Sequence, residues 1–490
     1  MVIVIEKDFE EIGWEFDNTY SRLPKFMISK LFPEKSRSPK LVVFNYDLAN
    51  ELGLDFSSLD DERLAVLFSG NFLPKGSSFL SQAYAGHQFG HFTMLGDGRA
   101  LLIGEHVTKN KNRFDVQLKG SGKTPYSRQG DGKAALGPVL REFIVSEAMS
   151  SLGVPTTRSL AAVSTGESVI RDVPLPGAIL TRVASSHIRV GTFQYLAMKG
   201  DLESLKLFLD YTIKRHYPNI PNNKNQAIEL LKKVMLAQAD LIVEWIRVGF
   251  VHGVMNTDNV AVSGETIDYG PCAFIDSYDP DKVFSSIDGQ GRYAFSNQPS
   301  IAHWNLCRFA ETLLPIIDKN KKKSIDVAGE VVGEFGDIYK KKWLNMMKNK
   351  LGILGEDTGD LSLINELLSL MSRKGADYTN TFYSLTYKDF SNQEFFQCDD
   401  FFSWQKKWAS RLKSNSKRSV DIMSRSNPVI IPRNHIVEGV LNSAYVENSF
   451  SFLHDFLKAL KTPYEKTLAK SYYSVPPKEN EQVYKTFCGT

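Results

Sequence analysis

The apolar residues of this chain change their period once, near residue 185. Before that point they alternate. Lys40-Leu-Val-Val-Phe-Asn45, Ala100 to Gly104, Phe114-Asp-Val-Gln-Leu-Lys119, Thr157 to Val163, Ser168 to Val173 and Ala178 to Val183 read as strands. In Phe114 to Lys119, Val116 and Leu118 take one face, and Asp115, Gln117 and Lys119 take the other. Pro174-Leu-Pro-Gly177 reads as a turn. Past residue 185 the spacing is helical: Thr192 to Met198, Asp201 to His216, Asn225 to Gly249 and Ser300 to Ile317, then 324–349, 361–372 and Ile436 to Tyr445. Two short helices in 46–70 and one over Pro138 to Leu152 are the exceptions on the strand side. A run of strands followed by a run of helices predicts an α+β protein. Its expected division is residues 1–184, a β-rich part with an N-terminal extension, and 185–490, a larger helical part.

Composition narrows the function. The 490 residues carry 59 basic and 56 acidic side chains, a formal charge of +3. That balance argues against a large nucleic-acid footprint. The four cysteines are widely spaced with no CxxC, so neither a zinc site nor a disulfide framework is indicated. The start, MVIVIEKDFEEIGWEF, lacks the basic and apolar regions of a signal peptide. No apolar run approaches the roughly 18 residues of a membrane span. A soluble chain in the cytoplasm is the simplest expectation. The basic stretch Lys340 to Lys350 reads as a solvated helix edge.

The chemistry gathers in His252 to Asp276. One polar cluster holds His252, Asn256, Asp258 and Asn259; the second is Asp268-Tyr269-Gly270. Val260 to Val262 and Glu265 to Ile267 read as two short strands joined at Ser263-Gly264, a hairpin that would bring the clusters together. Carboxylates and an amide gathered this way suit a hard cation such as Mg²⁺ on phosphates. Upstream, residues 120–137 form a Gly-rich basic loop with Lys123, Arg128 and Lys133 among Gly120, Gly122, Gly130 and Gly132. Such a loop can cradle phosphate, although a flexible surface loop would look similar and the GxxxxGK[ST] pattern is absent. Gly96, Asp97, Gly98 and Arg99 fit either the rim of a loop over a ligand or a turn among buried aromatics. Lys119 on a strand and Glu142 on the next helix match a known way of holding a phosphate-binding lysine. Arg182 and Arg189 suit anion contacts, with salt bridging as the alternative.

The ordered set of strand lysine, helix glutamate, Asn near Asp, and Asp-Tyr-Gly resembles a kinase skeleton. Two parts are wrong for a kinase: Val254 stands where the hydroxyl-orienting aspartate belongs, and the prominent glycines follow Lys119 instead of preceding it. The segments QAYAGHQFGHF (82–92), LGDGRA (95–100), QLKGSGKTPYSRQGDGKA (117–134), REFIVSEAM (141–149), TRVASSHIRVG (181–191), HGVMNTDN (252–259), TIDYGP (266–271) and the terminal CGT together resemble the selenoprotein O family, also called YdiU or UPF0061. That resemblance covers nearly the whole chain. It implies a bilobal, protein kinase-like pseudokinase fold that transfers AMP from ATP, bound in a flipped orientation, to Ser, Thr or Tyr hydroxyls of proteins. It implies Asp258 as the base and Asn259 and Asp268 as ligands of Mg²⁺ or Mn²⁺. Lys119, paired with Glu142, would contact phosphate, and Arg182 and Arg189 would hold its γ end. The loops of Gly96, Gly98, Arg99, Lys123, Asp131 and Gly132 would enclose the nucleotide. Cys488 stands near where some members carry selenocysteine, which suggests a redox role. The alternatives are a protein or small-molecule kinase, a UMP transferase, and a non-catalytic nucleotide-binding scaffold.

Overall fold

The computed structural model describes residues 9, 12–222, 224–390, 394–412 and 416–487. Cys488 lies outside them. The alternating segments pair into one antiparallel sheet. Its strands are β1 (Ile28–Lys30), β2 (Lys40–Phe44), β3 (Leu80–Gln88), β4 (His91–Gly96), β5 (Ala100–Val107), β6 (Arg113–Lys119), β7 (Ala134–Ala135), β8 (Arg158–Ile170) and β9 (Pro174–Ala184). The order is β1-β3-β5-β6-β9-β8-β2, with β4 bonded to β3 and β7 to β9. β6 is central, and its last residue, Lys119, stands between Ala100 of β5 and Leu180 of β9. Both faces of β6 are covered: Val116 and Leu118 are buried, and so are Asp115 and Gln117.

Three helices serve the sheet: α1 (Tyr46–Leu52), α2 (Asp61–Phe68) and α3 (Leu136–Ser151). Asn45 and Asp60 cap the first two, each accepting a backbone N–H from its helix's first turn. In α3, Val139, Leu140, Phe143 and Ile144 are buried against Val42, Ala162 and Leu180 of the sheet. The helical region that follows comprises α4 (Val190–Lys199), α5 (Leu202–His216), α6 (Gln226–Val248), α7 (Gln298–Ile317), α8 (Lys321–Gly333), α9 (Phe335–Lys350), α10 (Asp360–Lys374), α11 (Tyr378–Tyr387), α12 (Asp399–Leu412), α13 (Ser416–Ser426), α14 (Asn434–Asn442) and α15 (Ser451–Leu460). α6 runs through the centre of its core, with Leu231, Val234, Ala239 and Ile242 buried. Gly249 ends it in the left-handed conformation, φ +77°. A two-stranded ribbon, β10 (Phe250–Val251) with β11 (Ala273–Phe274), brackets the segment that carries the chemistry. The last two helices do not stay with the others. Ile436, Val440, Leu453 and Phe456 return to pack on α3 and the sheet.

The class is therefore α+β, a sheet followed by helices, but four local expectations fail. Pro174 to Gly177 is strand, not turn: Pro174 faces Ile170 and Pro176 faces Ser168, and the chain reverses at Arg171 to Val173. In place of the separate strands expected over Thr157–Val163 and Ser168–Val173 there is correspondingly one bulged strand, β8 (Arg158–Ile170). The hairpin over 260–267 does not form. Ala261 bridges Arg189 and Thr266 bridges Thr156, because a two-strand ribbon this short gains more from neighbours already in place than from itself. Lys350 is no solvated edge: it is 1% exposed, gives its ammonium to Arg247 O at 2.8 Å, and lies 4.1 Å from the Phe382 ring centroid. Among the described residues, no helix is long and apolar enough to cross a membrane.

Candidate active site

The ends of β6 and β9, the second turn of α3 and the Asp268 turn converge on one buried ionic cluster. Lys119 Nζ donates to Glu142 Oε2 at 2.6 Å and to Asp268 Oδ1 at 3.1 Å. Arg182, 1% exposed, gives Nε to Glu142 at 2.8 Å and Nη2 to Asp268 Oδ1 at 2.6 Å. Burial alone would raise the Asp268 carboxyl. Arg182, Lys119 and Arg189 outweigh it and hold the group well below the usual carboxylate range. Burial and the same two nearest cations act in the same opposed way on Glu142, whose carboxyl is also lowered. Asp268 pays for its position with a left-handed backbone, φ +60°.

Arg189 sits beside this cluster with much of its capacity unused. It is 2% exposed, and its Nε and Nη1 find no hydrogen-bond partner. Asp97 Oδ1 is 3.6 Å away and Asp268 Oδ2 3.8 Å, too far for hydrogen bonds. The guanidinium carbon lies over the Tyr84 ring, 4.3 Å from its centroid. Asp97 is buried and turned inward, where its carboxylate accepts from Gln82 N at 3.1 Å.

Asp258 lies in a one-turn 3-10 helix, Thr257–Asn259. It is 8% exposed, its Oδ1 has no hydrogen-bond partner, and burial pushes its carboxyl up to about 6. Arg189 partly opposes that rise, and Asp268 adds to it. β3 passes so close that a Cβ at Gly86 would overlap the Asp258 carboxylate. The turn is braced from all sides. Thr257 Oγ1 accepts from His87 N at 2.7 Å and donates to Gln194 Oε1 at 2.7 Å. Asn256 Oδ1 accepts from Phe89 N at 2.9 Å and from the Tyr293 hydroxyl at 2.6 Å. Asn259 commits its amide nitrogen to Val254 O at 2.9 Å, which leaves its oxygen as the atom to offer a cation. His252 is wholly buried, with Nε2 2.9 Å from Ile267 O, and acts as internal scaffolding.

Lys119, Glu142, Arg182, Arg189, Asp258 and Asp268 are thus gathered, with Asn259 next in chain. The Gly-rich loop stands apart from this network. Asp131 pairs with Arg171 at 2.9 Å, and Lys123 N donates to Glu34 Oε1 at 3.0 Å. Gly132 packs on the Gly122 backbone, where a Cβ would not fit. Gly96 and Gly98 pack on Tyr126, and Arg99 O accepts from Gly120 N at 2.7 Å. Tyr84, Gln194, Thr257 and Tyr293 were not picked out from the sequence. Each is an ordinary polar or aromatic residue until its neighbours are known.

Sequence comparison gives this geometry its context. A family model described as "Protein adenylyltransferase SelO" matches residues 11–461. The chain belongs to the SelO family. As a SelO protein it is an enzyme, a nucleotidyltransferase, and its activity is protein adenylylation. Its relatives include the "Protein nucleotidyltransferase YdiU" of Pelagibacter ubique, 54% identical over 98% of this chain and 100% of that protein. The protein of the same name from Nitrosococcus oceani is 54% identical over 98% of each chain. That of Geobacillus kaustophilus is 52% identical over 98% of this chain and all of its own length. Four groups of this site are orphaned or half-used: Arg189, Asp258, Asn259 and one oxygen of Asp268.

Proposed function

We propose that the chain transfers AMP from ATP to Ser, Thr or Tyr hydroxyls of proteins, with Asp258 facing the acceptor and the Lys119–Arg182–Arg189 group holding the phosphates. The observation that carries this reading is Arg189: a buried guanidinium with two donor atoms unpaired, beside a carboxylate also missing a partner. Leaving such groups unpaired costs about 1–3 kcal/mol each, and more when charged. Phosphate oxygens on Arg189 would recover that cost. We further read residues 1–184 and 185–490 as the two lobes of a kinase-like fold, with the site between them.

Among the described residues no group of three or more His, Cys, Asp or Glu side chains forms a ready-made metal site. A cation held on ATP does not need one. The Asn259 oxygen and Asp268 Oδ2 are hard donors that fit Mg²⁺ or Mn²⁺, with phosphate oxygens completing the shell. When bound, the metal neutralises phosphate charge. The rest falls to the chain. Lys119, anchored by Glu142, and Arg182 stabilise charge on the departing pyrophosphate. Asp258 orients the acceptor hydroxyl for attack on the α-phosphorus and takes up its proton. A carboxylate raised to about 6 is a better acceptor than an ordinary aspartate and is still ionised at pH 7. The loops of Gly96, Gly98, Arg99, Lys123, Asp131 and Gly132 border the nucleotide in this reading. Val254 supports AMP transfer over phosphoryl transfer, since it leaves no acid where a kinase needs one.

ATP labelled separately at the α and γ positions tests the proposal. Label reaching protein from α, with the mass of one AMP, supports it. Label from γ would make the chain a kinase, and substitution of UTP for ATP separates AMP from UMP transfer.

A further inference from the structure

The hairpin of β3 and β4 carries a constellation that the nucleotide chemistry leaves unused. Gly86 abuts Asp258, and the next residue, His87, turns its ring edge-on to Trp304 of α7, centroids 5.3 Å apart. Trp304 is flanked by two guanidinium groups. Arg292 lies 4.9 Å and Arg308 5.2 Å from its ring centroid. The Nε of each is buried without a hydrogen-bond partner. Arg308 pairs with Glu311 at 2.5 Å. Arg292 forms no ion pair among the described residues. Asp288, its near neighbour in chain, is already engaged by the backbone N–H groups of Arg292 and Tyr293 at 2.9 and 2.8 Å. Further along the hairpin Phe92 and Met94 are 41% and 38% exposed. The result is a half-exposed cationic and aromatic shelf, two residues from the catalytic turn by way of His87.

We propose that this shelf seats the segment of the protein substrate that bears the acceptor hydroxyl, and that it selects segments with a carboxylate close to that hydroxyl. The inference rests on reading Asp258 as the group that faces the acceptor. Charge chooses the occupant. A guanidinium held over indole keeps planar donors that can take a carboxylate in a bidentate grip, and among the described residues Arg292 forms no ion pair that would compete. The exposed Phe92 and Met94 add apolar contact for a chain lying along the hairpin. ATP is not the occupant, because its phosphates have the separate Lys119, Arg182 and Arg189 group.

The test uses two fluorescein-labelled synthetic peptides with the same acceptor residue, one flanked by Asp and Glu, the other by Lys. Anisotropy reads their binding to the full chain, and α-labelled ATP reads transfer. For the unaltered chain the acidic peptide is expected to bind about tenfold tighter and to show a correspondingly lower KM. Arg292→Glu should erase or invert that preference, Arg292→Gln should weaken it, and the KM for ATP should stay the same in both. Arg292→Gln, which adds no charge, keeps the test open should the reversal impair folding. Equal binding of the two peptides overturns the proposal. So does a rise in the KM for ATP that matches the rise for peptide, which would make the shelf part of the nucleotide site. Arg292-dependent capture of the acidic peptide without transfer of α label leaves the docking surface standing and removes AMP transfer.

Discussion

Asp258 and Tyr84 are the residues whose environments make the sharpest demands. The Asp258 carboxyl ionises near 3.8 in a free chain and near 6 in the fold. Between those values the folded protein keeps a proton that the unfolded chain has released. Stability therefore falls as pH rises from about 4 through about 6, and the cost, on the order of 2–3 kcal/mol, is complete above that. Asp258→Asn should accordingly melt higher than the unaltered protein at pH 8 without nucleotide, with the gap closing by pH 4; calorimetry at the two pH values reads it. Transfer moves the other way. kcat/KM should climb with pH through about 6 as Asp258 ionises. Asp258→Ala and Asp268→Ala should both abolish transfer, and the Asp258 variant should keep more ATP binding, because only Asp268 touches Lys119 and Arg182. Near-normal transfer by either variant would remove the assignment. Tyr84 acts through Arg189. Tyr84→Ala should raise the KM for ATP about 3–30-fold, and Tyr84→Phe, which keeps the ring, should leave it nearly unchanged.

At the scale of elements, β3 sets how close the Asp258 turn can come. Gly86→Ala puts a methyl group where the Asp258 carboxylate lies. Transfer should drop about a hundredfold while ATP still binds, because displacing a catalytic group by an ångström costs that much. Elements were also where sequence reading was strongest and where it failed. β6 and α3 were legible because alternation and helical spacing are local properties, and Lys119 and Glu142 came with them. The 260–267 segment was not. Its partners, Arg189 and Thr156, lie some 70 and 110 residues away along the chain, and no local pattern announces them. Lys350 failed for the same reason, since the rings that bury it arrive from α11. Tyr84 and Trp304 carry no signature until Arg189, Arg292 and Arg308 are seen beside their rings.

Across the whole molecule, the sheet and the helical region are fastened by buried charge. Arg215 of α5 reaches Glu105 of β5 at 2.6 Å and Asp115 of β6 at 2.8 Å, and Asp115 also accepts from His187 N at 2.9 Å, two residues before Arg189. Arg215→Met would remove the cation that two buried carboxylates share, leaving Glu105 with Arg113 at 3.5 Å and Asp115 with His187. A loss of about 3–5 kcal/mol is expected in denaturant titration. The second fastening is apolar. Phe456 of α15, wholly buried, backs α3, and Phe456→Ala should cost about 3–5 kcal/mol. This arrangement has a consequence for synthesis on the ribosome. α3, which holds Glu142 under Lys119, is made early, but the helices that cover its apolar face are among the last to emerge. A chain halted after α13 would already carry Lys119, Glu142, Arg182, Arg189 and Asp268 but would leave the side of α3 that meets α14 and α15 uncovered. Prematurely terminated copies would thus be sticky, protease-sensitive and inactive, and only a finished chain would be able to modify other proteins.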